Sequence, residues 1–253
     1  MADRLRDMTL AAGFTATQHS KATPALDPAN NKLPAPLSVL LIGASRGIGA
    51  GIAEAYAKAG AGHIILAARQ SSLDKLRAVE QKVKEAAPSS IATTCLAVDI
   101  TDSASVAQLA KAVREQVRTL DVVVLNSATA GPVGLKVEAE DPQSVQDVFD
   151  VNFMGAYRVA HHFMPLLKAS EGAKTFIAVG SLAATITLEK ISSASYCISK
   201  FAQTRLMELL AGQYGDEGVL SVAVHPGAVD TELAASAAPE SFRACKLPDL
   251  CVL

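Results

Sequence analysis

Apolar runs of strand length alternate along the chain with longer stretches whose apolar residues recur at helical spacing. "LSVLLIGAS" is apolar until it breaks at a glycine turn, and "AGIAEAYAKAG" follows with helical periodicity and stops on Gly60. "HIILAAR" reads as a strand, and "SLDKLRAVEQKVKEAA" as a charged amphipathic helix stopped at Pro88. "IATTCLAVD" is a strand, and "DSASVAQLAKAVREQV" a helix opened by Asp102 or Ser103. Then come "LDVVVLNSA" as strand, one long helix over roughly 142–169, and "KTFIAVGS" as strand. "SYCISKFAQTRLMELLAGQY" closes the pattern as a helix, before "VLSVAVHPG" as a last strand. The strands are continuous Val/Ile/Leu runs, which is what a sheet covered on both faces requires. Regular strand–helix alternation with short connections predicts an α/β fold: a single doubly wound parallel sheet with helices on both faces. No internal repeat and no second domain is visible. Ahead of the first strand, "TPALDPANNKLPAP" carries four prolines and two asparagines, so residues 1–36 are expected to form a poorly ordered arm.

Composition narrows the function classes. Aromatic residues make up 4% of the 253 residues, so the core is expected to be aliphatic. A net charge of −2 with scattered Lys and Arg gives no electrostatic footprint for nucleic acid or an anionic membrane. Cys95, Cys197, Cys245 and Cys251 form no CxxC and have no His at ligand spacing, so no metal site is expected. They suit a reducing compartment, with Cys95 expected to be buried in its strand. "MADRLRDMTL" lacks the apolar core of a signal peptide, and no apolar run reaches the ~18 residues of a membrane span. A soluble, cytoplasmic protein is the expectation.

The chemistry gathers at the carboxyl ends of the strands, where ligands bind in such sheets. "IGASRGIG" places Gly43, Gly47 and Gly49, with Ser45, Arg46 and Ile48, between the first strand and the first helix. Glycines there let the backbone turn tightly and approach a pyrophosphate, which the helix N-terminus favours electrostatically. The second strand ends in "AAR", so Arg69 stands where an acidic residue would hold the ribose hydroxyls of NAD. Arg69 and Arg46, with no carboxylate, suit a 2′-phosphate, and NADP(H) is the expected cofactor. Asp99 and Asn126 close the third and fourth strands and are expected to face the cofactor. "SYCISK" sets Tyr196 and Lys200 one helical turn apart, on one face. An ammonium beside a phenol favours the phenolate and typically moves its pKa by about 1–3.

Taken in order, "IGASRGIG", "VDITD", "VVVLNSA", "DVNFMG", "VGSLA", "SYCISK" and "HPGAVDT" resemble the short-chain dehydrogenase/reductase family from about residue 37 to 231. The proline- and asparagine-bearing arm is similar to that of fungal members. The resemblance implies a Rossmann-type NADP-binding catalytic domain over 37–231 and a partial substrate lid or tail over 232–253. It implies Tyr196 as general acid or base and Lys200 as its partner and holder of the nicotinamide ribose. It also implies Ser181 as hydrogen-bond donor to the substrate oxygen, and Asn152 as the anchor of a water in the proton relay. Val229 and Thr231 are carried over as cofactor contacts. The implied partner is a small-molecule carbonyl or alcohol, in a homo-oligomer built on the two long helices. The fungal likeness suggests a hydrophobic, secondary-metabolite carbonyl. His161 and His162 are read as packing or surface residues.

Three features depart from the family pattern. "LNSA" keeps only Asn126 of the usual Asn-Asn-Ala-Gly. The interval from Ser181 to Tyr196, 196 − 181 = 15, is longer than usual, and Ser192, Ser193 and Ser195 lie nearer to the tyrosine. After Thr231 only 253 − 231 = 22 residues follow, so the sixth strand is expected at an edge. Two other readings stand beside the oxidoreductase: a non-catalytic NADP(H)-binding sensor or scaffold, and an isomerase or dehydratase on the same fold.

Overall fold

Six apolar runs pair into one parallel sheet in the order β3-β2-β1-β4-β5-β6. The strands are β1 Ser38–Ile42, β2 His63–Ala68, β3 Ala92–Ala97, β4 Val122–Leu125, β5 Thr175–Val179 and β6 Leu220–Val224. The structure is a computed structural model and describes residues 24–185, 193–227, 229 and 231–237. The helices are α1 Gly47–Ala59, α2 Leu73–Ala86, α3 Ser103–Gln116, α4 Pro142–Phe149, α5 Gly155–Lys168, α6 Ala194–Tyr214 and the short α7 Glu232–Ala237. This is the doubly wound α/β sheet that the alternation predicts.

Register fixes which residues face which layer. Leu40 pairs with Ile65 and Val123, and Val123 pairs with Phe176, so these four form a row across the sheet. That row packs with Val106 and Leu109 of α3, Phe163 and Leu167 of α5, and Met207 of α6. The alternate residues, including Val39, Leu41, Ile64 and Val124, pack on Ala53 and Ala57 of α1 and Leu76 and Val83 of α2. Each fully buried aliphatic or phenyl side chain contributes about 1.5–3 kcal/mol relative to leaving it in water. The strand order reverses between β1 and β4, which opens a crevice at their carboxyl ends.

Three expectations change. The helix predicted over roughly 142–169 is interrupted: Asp141 caps α4 by accepting from the Gln143 and Ser144 amides, Pro142 opens it, and a π segment, Asp150–Met154, precedes α5. Cys95 is half-buried rather than buried, because β3 lies at the sheet edge and none of its residues is fully buried. Over residues 24–36, the described part of the arm expected to be poorly ordered, the chain forms docked turns. Leu33 N–H donates to the Ala59 carbonyl, Lys32 Nζ to the Lys58 carbonyl, and the Asn30 and Asn31 amides tie back to the Pro24 and Ala25 carbonyls. Proline-rich sequence excludes helix and strand, yet it does not exclude turns closed by asparagine side chains.

Candidate active site

The glycine turn joins β1 to α1 and is shaped by close approach. Gly43 has φ +88°, and a Cβ there would stand 2.6 Å from the Ser127 nitrogen. Gly49 is buried, and a Cβ on it would come 2.8 Å from the Asn126 amide nitrogen. That amide donates to the Gly43 carbonyl at 2.8 Å, so Asn126 ties the end of β4 to the turn. Ile48 packs into the layer beneath, Ser45 is half-buried, and Arg46 and Gly47 face outward. Among the described residues, no side chain caps the N-terminus of α1, and its first turn holds no acid. These features fit a dinucleotide pyrophosphate.

Arg69 is exposed at the end of β2, and Asp99 is exposed just past β3. Bonds from Thr101, chiefly its hydroxyl at 2.7 Å and its N–H at 2.9 Å, hold the Asp99 carboxyl below the usual range, and the Arg69 and Arg158 charges add to this. Arg46 forms an ion pair with Glu232 at the start of α7. Thr231 lies against the turn, and a Cβ on Gly47 would meet its methyl at 3.2 Å. Val229 is half-buried between residues that lie outside the description.

The second cluster sits past β5. Ser181 follows the strand and caps a short turn, its hydroxyl accepting from the Ala183 N–H at 3.2 Å. The next residue is pinned from β6, with Leu182 N–H donating to His225 Nδ1 at 3.1 Å. The Ser181 side chain also acts on the Tyr196 phenol, favouring its ionised form. Of the nearer serines, Ser193 caps α6, accepting from Tyr196 N–H and donating to the Ala130 carbonyl. Ser195 is buried and donates to the Glu140 carboxylate, and Ser192 lies outside the described residues.

Lys200, one turn beyond Tyr196, is 2% exposed. Its ammonium donates to the Val179 carbonyl at 2.8 Å and to Gln203 Oε1 at 2.9 Å, and burial lowers its pKa to about 7. The expected lowering of the Tyr196 pKa is corrected here: in the folded chain it is raised. Burial is the main cause, and the Ser181 side chain opposes that rise. The ammonium donates to two neutral acceptors among the described residues, and burial makes it reluctant to hold its proton.

Asn152 lies in the π segment and is fully buried. Its side chain accepts from Thr129 N–H at 2.9 Å and donates to the Thr129 carbonyl at 2.8 Å and to Ser199 Oγ at 3.0 Å. Its backbone carbonyl accepts from Gln203 Nε2 at 3.1 Å. A π turn misaligns the helical ladder, and such turns occur often at functional sites. Ser199 and Gln203 were not among the expected site residues. Tyr196, Ser199, Lys200 and Gln203 nevertheless fall at i, i+3, i+4 and i+7, a polar stripe on one face of a helix.

The model of the family described as "short chain dehydrogenase" matches residues 38–241. The chain belongs to the short chain dehydrogenase family. Among curated members, it is 36% identical over 245 residues to the short chain dehydrogenase mpl6 of Monascus purpureus, covering 95% of this chain and 82% of that one. An NADPH-dependent pterin aldehyde reductase of Arabidopsis thaliana is 30% identical over 225 residues, covering 87% and 86% of the two chains. Among solved structures, an alcohol dehydrogenase from the archaeon Thermococcus sibiricus, complexed with 5-hydroxy-NADP, superposes with a TM-score of 0.70 at 25% identity, covering 81% of each chain. Membership makes this an oxidoreductase-family enzyme that uses a nicotinamide cofactor on small molecules. Among the described residues, no helix of this dehydrogenase is long and apolar enough to cross a membrane, and no cluster could hold a metal ion.

Proposed function

We propose that the chain is an NADP(H)-dependent oxidoreductase that interconverts a small-molecule carbonyl and its alcohol. The observation that carries this reading is the buried Lys200, one turn beyond Tyr196 on α6 and bonded to the Val179 carbonyl at the end of the strand that leads into Ser181. The cofactor supplies or accepts the hydride at the carbonyl carbon. Tyr196 delivers its phenolic proton to the carbonyl oxygen, and Ser181 holds that oxygen as charge builds on it. Lys200 stabilises the phenolate left behind, and its unused N–H binds the ribose hydroxyls. Asn152 keeps the loop at Thr129 and the helix at Ser199 in fixed relation.

The absence of a carboxylate at the end of β2, with Arg69 and Arg46 outward-facing, supports NADP(H) over NAD(H). The NADPH-dependent relative and the NADP-bound fold neighbour point the same way. Asp99, Asn126, Val229 and Thr231 complete the proposed cofactor contacts. Tyr157 on α5 and Ile198, Phe201 and Leu209 on α6 are exposed apolar residues on the two long helices, which supports a homo-oligomer through that face. A soluble cytoplasmic enzyme acting on a hydrophobic, secondary-metabolite carbonyl is the setting we infer.

Fluorescence titration with NADPH and with NADH tests the cofactor assignment. NADPH is expected to bind in the micromolar range with NADH much weaker, and Arg69→Asp is expected to abolish that preference. Equal binding of the two cofactors, or a preference retained in Arg69→Asp, contradicts the assignment.

A further inference from the structure

Gln203 is 1% exposed, and both ends of its amide are used. Oε1 accepts from the Lys200 ammonium at 2.9 Å, and Nε2 donates to the Asn152 backbone carbonyl at 3.1 Å. The amide is therefore a direct bridge from the lysine to the π segment. We propose that Gln203 is a positioning residue for Lys200, fixing where its ammonium points and supplying the neutral acceptor that sets how readily it keeps its proton. The functional weight of this proposal rests on the reading of Lys200 as the partner of Tyr196.

The argument is one of donors and acceptors. An ammonium has three N–H groups and no acceptor. The Val179 carbonyl from β5 and the Gln203 amide take two of them, which leaves the third for the cofactor and the phenol. Among the described residues, the groups that accept from the ammonium are neutral, the Val179 carbonyl and the Gln203 amide, and the titratable Tyr196 phenol lies one turn earlier on the same helix. The nearest acid on the π segment, Asp150, is engaged with Arg158 at 3.2 Å. An amide stabilises a buried ammonium more than a thioether would and less than a carboxylate would. Burial alone lowers the lysine's pKa to about 7, so its proton occupancy near neutrality is sensitive to the acceptor beside it. An amide does not ionise, so Gln203 orients the lysine and anchors it to Asn152 without itself passing a proton.

Two variants separate the effects. Gln203→Met keeps the volume and removes both bonds, whereas Gln203→Glu keeps the shape and makes the acceptor anionic. The readout is the titration of Lys200, followed by NMR in lysine-labelled protein, with its resonance assigned by its loss in Lys200→Met. Gln203→Met is expected to lower the midpoint and Gln203→Glu to raise it by about 1–3. Melting curves establish that each variant is folded, and should Gln203→Met fail to fold, Gln203→Glu alone decides. A folded Gln203→Glu protein whose Lys200 titrates at the wild-type midpoint overturns the proposal. NADPH titration adds a second readout: Gln203→Met is expected to weaken binding by roughly three- to tenfold. Unchanged NADPH affinity would contradict the claim that Gln203 aims the lysine at the cofactor. A wild-type protein that binds no NADPH sinks the functional reading instead, and the lysine titration still decides the role of Gln203.

Discussion

Lys200 carries an energetic cost that can be measured without any ligand. Its pKa of about 7 in the folded chain lies far below the 10.5 of a free lysine. Below about pH 7 both states are protonated, and the folded state bears the full penalty of a buried ammonium. Between the two values the unfolded chain binds more protons, so this residue makes stability rise with pH, by at most about 1.4 kcal/mol per pH unit. Denaturant titrations of the apoprotein from pH 7 to 10 are expected to show that slope in the wild type and its loss in Lys200→Met. Equal slopes in the two proteins would mean that the lysine is not buried as described. The residue identities at this site were legible because Tyr196, Lys200 and Ser181 sit in recognisable stretches. Their electrostatics were not. Whether burial or a neighbouring charge dominates the Tyr196 phenol depends on where its neighbours spend their hydrogen bonds, which spacing does not state. Gln203 could have been found from the i, i+7 spacing to Tyr196, whereas its second partner, the Asn152 carbonyl, arises only from tertiary packing.

Among the elements, the strands and the glycine turn follow directly from the apolar pattern, because a strand buried on both faces leaves an unbroken run. The break in the helix after Phe149 does not, since an inserted π turn has no compositional signature and "DVFDVNFMGAY" keeps a helical look throughout. The docked turns of residues 24–36 were likewise hidden, because proline reports what a segment avoids and not where it packs. The start of α7 adds a competitor at the proposed phosphate site: Glu232 pairs with Arg46, the guanidinium expected to meet the 2′-phosphate. Both side chains are half-exposed or more, so the pair is weak and at most about 1 kcal/mol separates its loss from its presence. Glu232→Gln is therefore expected to tighten NADPH binding by up to about fivefold and to leave NADH binding unchanged. Equal tightening for both cofactors would show that Arg46 does not meet the 2′-phosphate.

At the scale of the whole molecule, the sheet order places the glycine turn, Asn126 and Ser181 along one edge, at the carboxyl ends of β1, β4 and β5. The reversal of strand order opens the crevice between β1 and β4, while the layer of α3, α5 and α6 beneath holds the Tyr196 helix against β5 and β6. The fold thus sets the turn proposed to bind phosphate and the proposed proton donor, about 150 residues apart in sequence, on one sheet. The central claim is that hydride transfer is coupled to proton delivery from Tyr196. Its most direct test is NADPH consumption and matched alcohol formation over a panel of aliphatic and aromatic ketones and aldehydes, with wild type and Tyr196→Phe side by side. The account predicts stoichiometric reduction by the wild type. It predicts that Tyr196→Phe retains NADPH affinity and loses about 10²–10⁴-fold in turnover. Full turnover in Tyr196→Phe, or NADPH binding by the wild type with no carbonyl reduced across the panel, would contradict it.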